Sequence, residues 1–212
     1  IIINSRIRSP LSDSDGILSF NDRGSSVSLN LNNRGNISVS HEILLPQLRF
    51  KKIKLETING KIYVEDSLSE IFEGITKNSH IELMGVNSDR VTVSTKNARI
   101  QLSYVIGKNI DINTNNSVID LKHIKTSDLK AATMNSRILV ENVQSFEGLP
   151  DINMNLKTTH GGIKVNMNDM DGRGYKVKAK TTNGGVNLLI PDMAYNNIQK
   201  ETGNGSFIEA ES

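Results

Sequence analysis

Thr95-Lys96-Asn97-Ala98-Arg99-Ile100-Gln101-Leu102 is one copy of a phrase whose spacing decides the fold. Its frame is a threonine, a spacer, an Asn, a small residue, a second spacer and an apolar-x-apolar pair. The same frame stands at Thr57–Val64, Thr76–Leu83, Thr114–Leu121 and Thr133–Val140. Successive Asn numbers (78−59, 97−78, 116−97, 135−116) differ by nineteen every time. A fixed short period marks a chain built of stacked copies, each contacting only its neighbours. Looser copies continue at Thr158–Val165, Thr181–Leu188 and Thr202–Phe207, and upstream at Arg34–Val39 and Asn4–Ile7, so about ten coils are expected.

Within a copy the apolar residues alternate on both sides of the Asn. Ile53 and Leu55 precede the first corner and Ile62 and Val64 follow it; the same columns then read Val91, Val93, Ile100, Leu102 and Ile110, Ile112, Ile119, Leu121. Alternation with β-branched residues is the signal of a half-buried strand, and Asn beside Gly or Ser between two such runs is a turn. A further column, Val86, Val105, Ile124 and Val143, also steps by nineteen and marks a third inward-facing segment. Nineteen residues hold only two or three strands of about five to six residues. Columns repeating in one register favour coils stacked in parallel over a hairpin meander. The expected fold is all-β, a parallel β-solenoid with coils roughly 4.8 Å apart. It is expected to be right-handed, because right-handed crossovers dominate parallel connections. One domain spans 1–212, with a regular core over about 53–145 and looser coils over 1–52 and 146–212.

Stacking sets like residues over like. The Thr column (57, 76, 95, 114, 133, 158, 181, 202) and the Asn column (Asn59, Asn78, Asn97, Asn116, Asn135, Asn183, Asn204) are expected to form hydrogen-bonded ladders along the axis. Asn would also supply the left-handed backbone of a sharp corner. Longer intervals at 34–59, 135–160 and 160–183 read as insertions, the usual place for loops on one side of a solenoid. Pro191–Tyr195 reads as a cover for the last coils, where bare strand edges would otherwise be exposed.

Composition narrows the function. Lys+Arg of 25 against Asp+Glu of 23 leaves a formal charge of +2, too balanced for nucleic-acid or membrane binding by bulk charge. Aromatics are 4% with no Trp, which leaves no expectation of an aromatic sugar-stacking platform. The absence of Cys excludes disulfides, thiolate metal sites and a cysteine nucleophile. No stretch approaches the roughly 18 apolar residues of a membrane span. The chain opens on Ile1-Ile2-Ile3 with no initiator Met and inside a coil, which reads as a portion of a longer protein.

Catalysis finds little support. Parallel β-solenoids include polysaccharide lyases and hydrolases, which need neighbouring carboxylates or a calcium cage. The outward column after the repeated Ile reads Tyr63, Glu82, Gln101, Asp120, Leu139, Lys164, Asn187, and its two carboxylates stand two coils apart. Asn166–Gly172 has a calcium-loop flavour, but placing Gly172 at the sixth position of an EF-hand loop puts Met167 first and Lys178 twelfth, so a polar turn is expected. His41, His80, His123 and His160 fall in different columns, so no metal site and no cofactor are expected. More suggestive is the outward column before the repeated Ile: Lys61, His80, Arg99, Val118, Arg137. It is a candidate surface for an anionic partner, although Glu82 and Asp120 lie diagonally beside Arg99 and can neutralise it.

The Thr-x-Asn-Gly-x-Ile-x-Val phrase, clearest at Thr57–Val64 and Thr181–Leu188, resembles a bacterial family of β-strand-repeat proteins labelled adhesins, whose function is undefined. The resemblance runs from about Gly35 to Gly205, and its motif is structural. It implies an envelope or surface-associated protein, in some members linked to envelope stress, and it transfers no catalytic residue. The resulting expectation is a non-enzymatic, extracytoplasmic binding or adhesion module, anchored through a segment outside this chain. Its partners would be an anionic envelope polymer, lipid headgroups or a surface protein. The alternatives are a scaffold that self-associates end to end, as bactofilin solenoids do, and a carbohydrate-active enzyme using Glu82 and Asp120.

Overall fold

In the computed structural model the alternating runs become strands, and the Asn-small corners become the bends between them. The structure describes residues 2–8, 18–22, 27–31, 38–45, 47–146, 151–167, 174–190 and 206–211, with side chains in 44–45, 47–146, 151–167 and 174–190. The stretches 191–195, 202–205 and 168–173, read from the sequence as a cover, a corner and a calcium-like turn, lie outside the described residues. The chain divides into two compact units, Ile1–Pro46 and Gln47–Ser212.

The first unit holds β1 (Ile2–Arg8), β2 (Leu18–Asp22), β3 (Val27–Leu31) and β4 (Ser38–Leu44). β1 pairs with β4, and β2 with β3, both antiparallel. The copies read at Asn4–Ile7 and Arg34–Val39 are therefore not coils of a parallel stack. An apolar-polar phrase specifies a strand, but neither its direction nor its partner.

The second unit is the solenoid, of seven coils rather than ten. In chain order the coils are β5 (Phe50–Glu56) with β6 (Ile62–Glu65), β7 (Leu68–Ile75) with β8 (Ile81–Met84), and β9 (Asn87–Ser94) with β10 (Ile100–Ser103). Then come β11 (Asn109–Asn113) with β12 (Ile119–Thr126), β13 (Asp128–Ala132) with β14 (Ile138–Ser145), β15 (Ile152–Thr158) with β16 (Ile163–Asn166), and β17 (Tyr175–Thr181) with β18 (Val186–Leu189). Odd-numbered strands stack into one sheet and even-numbered strands into another. Register follows the period: Ile100 stands over Ile81 and under Ile119, and Leu102 over Leu83 and under Leu121. A third side is shorter. There Ile106 bridges Asn87 and Lys125, and Lys125 pairs with Gln144.

The inward columns make one continuous core. Ile81, Leu83, Val91, Val93, Ile100, Leu102, Ile112, Ile119, Leu121 and Ile138 are wholly buried, as are Val86 and Val105 on the third side, with Ile124 and Val143 nearly so. Each large aliphatic side chain buried this way contributes about 1.5–3 kcal/mol. Phe72 is wholly buried in this core, and its ring fills space beside Gly74, where a Cβ would come within 3.3 Å of it.

Three kinds of corner hold the coils in register. At the first, the Asn amides form a ladder: Asn78, Asn97, Asn116 and Asn135 each donate Nδ2 to the Oδ1 of the Asn one coil earlier, at 2.7–2.8 Å. Asn183 meets His160 Nε2 at 3.3 Å, so His160 substitutes for the missing amide. The Thr column does not make the expected Thr-to-Thr ladder. Thr95, Thr114, Thr133, Thr158 and Thr181 donate Oγ1 to the backbone carbonyls of Ser79, Ala98, Ser117, Ser136 and Gly161, the small residues of the coil before. A buried hydroxyl needs a partner, and the nearest acceptor is the bend beneath it.

The left-handed backbone also falls elsewhere than the sequence reading placed it. None of the described Asn corners has positive φ. The residues that do are Asp66 (48°), Gly85 (67°), Tyr104 (54°), His123 (52°) and Asn142 (53°), themselves nineteen apart, at the bend from the second side to the third. At the bend from the third side back to the first stands a column of small residues, Ser69, Ser88, Gly107, Thr126 and Ser145, all buried. The Ser69 and Ser88 hydroxyls share a hydrogen bond. At Gly107 a Cβ would lie 2.8 Å from the Ser88 carbonyl oxygen, so the coils approach there too closely for a side chain.

The last strand departs from the repeat. β19 (Ser206–Glu211) joins the odd-numbered sheet antiparallel to β17, with Thr181 opposite Ser206 and Lys176 opposite Glu211. The copy read at Thr202–Phe207 is thus not a further parallel coil, but ends in a strand that closes the sheet edge.

Candidate functional site

Lys61, His80, Arg99 and Arg137 project outward at the start of the even-numbered strands, one per coil, and all four are exposed; Val118 interrupts them. The column is not bare positive charge. Lys61 Nζ lies 2.7 Å from Glu82 Oε2, and Arg99 pairs with Asp120. In both pairs the carboxylate stands 21 residues after its cation, one coil up and two residues along, so the pairs are diagonal. Glu82 thus turns to Lys61 and not, as the sequence suggested, to Arg99. Lys52 and Glu73 repeat the diagonal on the other sheet at 2.8 Å. Among the described residues His80 and Arg137 form no ion pair.

Tyr63 sits beside the foot of this column. The Lys61 ammonium lies 5.4 Å from its ring centre, within cation–π range. Its hydroxyl donates to Glu65 Oε2 at 3.1 Å, and that hydrogen bond, followed by desolvation and the Glu65 charge, holds the phenol pKa above its ordinary value.

Glu82 and Asp120 are two coils apart with Gln101 between them in register. Asp120 is only 6% exposed and is committed to Arg99. Among the described residues no group of three or more His, Asp or Glu lies close enough to hold a metal ion, and no helix is long and apolar enough to cross a membrane. His80, His123 and His160 do stand in separate columns, while the His41 side chain lies outside the described residues.

A second feature, on the third side, was missed from the sequence. A groove of about 260 Å³ is lined by Tyr104, Ile106, His123, Lys125, Asn142 and Gln144. These are two outward columns, 104–123–142 and 106–125–144, each with a nineteen-residue step. The first is the left-handed bend, which throws three successive side chains outward above the third side. The Tyr104 and His123 rings stack face to face, 4.7 Å between centroids and 7° from parallel, and Tyr104 is 59% exposed. The low aromatic content concealed this, because a sparse composition does not say where its few rings meet. The spacing 104, 123 carried the signal.

The Toastrack model, DUF4097, matches residues 6–210. No curated protein and no solved structure shows significant similarity. A match that runs across nearly the whole sequence shows membership, and it accounts for the β-repeat resemblance without assigning an activity. The chain belongs to the Toastrack family, DUF4097, a domain of unknown function.

Proposed function

We propose that this chain is a non-enzymatic binding module of the bacterial cell envelope, presenting a rigid solenoid face to an envelope polymer. The observation that carries the reading is the commitment of Glu82 and Asp120 to diagonal ion pairs with Lys61 and Arg99. A glycan-cleaving site needs one carboxyl free to donate a proton and another free to attack or activate water. Here both carboxylates of that column neutralise cations of the coil before. What remains is a periodic surface whose side chains are fixed by register, a binding face with its ordering cost met in folding. The antiparallel β19 speaks against end-to-end growth at its sheet edge, since addition there would need an open parallel edge.

The test is co-sedimentation of the purified chain with isolated bacterial envelopes across a salt series. Retention at low salt is expected, with partial release as salt rises, because exposed charges such as Arg137 are screened within about 10 Å at 0.1 M. Failure to pellet at any salt, or polysaccharide turnover that disappears in Glu82→Gln and Asp120→Asn, would defeat the proposal.

A further inference from the structure

We infer that the free edge of β5, at the start of the solenoid, is a docking site for an extended protein segment in which apolar and acidic residues alternate. The inference goes beyond the envelope-binding reading: it adds a second surface, with a protein strand as its partner.

The backbone of this edge is open. β5 is the terminal strand of the odd-numbered sheet, and among the described residues it pairs only with β7. Thr57 N–H bonds the Ile75 carbonyl, and alternation along an extended strand then turns the N–H and C=O of Lys52 and Lys54 away from β7. The core is open here as well. Ile53 and Ile62 keep 9% and 6% exposure and Leu55 and Val64 are only partly buried, whereas their counterparts two coils on, Val91, Ile100, Val93 and Leu102, are wholly buried. Leu48, Ile58, Tyr63 and Leu68, on and around this coil, are exposed. A solenoid end of this kind needs a cap, and a strand added to the edge covers backbone and apolar surface together.

The opposite end shows what such a strand is made of. There β19, Ser206-Phe207-Ile208-Glu209-Ala210-Glu211, lies antiparallel on β17, with Glu209 opposite Lys178 and Glu211 opposite Lys176. Followed coil by coil through the register, Lys178 stands in the outward column of Lys54, and Lys176 in that of Lys52. Both ends of the sheet therefore present the same two lysines around a buried apolar residue, Val177 at one end and Ile53 at the other. Lysines on an edge commonly discourage pairing. Here one lysine-bearing edge is paired all the same, so these lysines select the charge of the incoming strand and do not forbid it.

A second copy of the chain does not meet that condition. Two β5 strands antiparallel about Ile53 would set Lys52 of each against Lys54 of the other, like charges directly opposite. Lys52 bonds Glu73 and Lys54 bonds Glu56, at 2.8 and 2.9 Å, but both lysine side chains are half-exposed, where such pairs are weak. An ammonium has three donors, so a partner carboxylate can join each lysine without displacing its present one.

The experiment is a two-dimensional ¹⁵N–¹H titration of the full labelled chain with the unlabelled peptide acetyl-Ser-Phe-Ile-Glu-Ala-Glu-amide, which copies β19. β19 itself keeps its place on β17 through the high effective concentration of a tethered strand. Shift changes are expected at 50–56, with slower solvent exchange of the 52 and 54 amides. The same peptide with Lys for both Glu is expected to bind about tenfold more weakly, since two attractive cross-strand pairs become repulsive. The double variant Lys52→Glu, Lys54→Glu is expected to reverse the preference between the two peptides; should it fail to fold, the comparison on the unaltered chain still decides. No shifts at 50–56, shifts confined to 176–181, or equal affinity for the two peptides would overturn the assignment. So would slow exchange of the 52 and 54 amides before peptide is added, which would show the edge already covered. Broadening of 50–56 with chain concentration alone would give the edge to a second copy, and would overturn it too.

Discussion

Gly184 and Gly185 are neighbours of identical chemistry, yet the stack treats them in opposite ways. A Cβ on Gly184 would lie 2.0 Å from the Gly161 carbonyl oxygen, which is backbone held by the coil below; a Cβ on Gly185 meets nothing within 4 Å. Neither residue has a positive φ. Gly184→Ala is therefore expected to destabilise by about 2–3 kcal/mol, the cost of forcing extra volume into a closed contact. Gly185→Ala should gain about 0.4–1 kcal/mol by restricting the unfolded chain. Urea midpoints followed by circular dichroism decide it, and equal midpoints would deny the close approach of the two bends. The pair was legible as a corner, but which glycine is obligatory was not, because that depends on an oxygen 23 residues earlier in the chain. The Thr hydroxyls gave a similar surprise. Their column was legible, yet Thr114 and Thr133 bond the bend below them, donating to the carbonyls of Ala98 and Ser117.

At the scale of strands, periodicity fixes existence and face but not direction. β9 to β12 and their inward residues could be drawn from the sequence because Val91, Val93, Ile100 and Leu102 recur at one interval in the next coil. β1, β4 and β19 hold parts of copies read as the same phrase, yet run antiparallel to their partners. Nothing local distinguishes the two cases, since direction is set by how the intervening chain returns. The left-handed bend escaped for another reason: Asp66, Gly85, Tyr104, His123 and Asn142 share a backbone geometry but no common hydropathy. The diagonal pairs Lys61–Glu82 and Arg99–Asp120 were half legible, because register places both carboxylates near Arg99 while only side-chain reach assigns Glu82 to Lys61. β19 itself yields a prediction. Removing 206–211 uncovers the backbone donors and acceptors of β17 from Lys176 to Thr181, a ready template for another chain. The truncated chain is expected to associate as concentration rises, read by light scattering on size-exclusion chromatography, whereas the intact chain shows less growth over the same range. Identical profiles would mean that β19 does not protect that edge.

For the solenoid unit as a whole, stability is close to a sum of coil and interface terms, because each coil touches only the coils above and below. Leu102, wholly buried in the third coil, lies between Leu83 and Leu121. Leu102→Ala is expected to cost about 2–5 kcal/mol through lost burial and the cavity left behind. The loss should be local, with amide exchange accelerating most from β7 to β12 and least in β15 to β18. Uniform acceleration throughout Gln47–Ser212 would instead show one cooperative block. The number of coils was overread, because the outermost phrases keep the wording of the repeat after the chain has left the stack.

The Asn ladder has one more implication. Each rung from Asn78 to Asn116 offers its N–H to the preceding rung and its carbonyl to the following one, so no inner rung is privileged. A duplicated block of nineteen residues slipped between two rungs would find an acceptor waiting beneath and a donor above. The column is therefore a ruler whose length can change in whole steps of about 4.8 Å, and a lineage could lengthen or shorten the exposed face without redesigning a single contact.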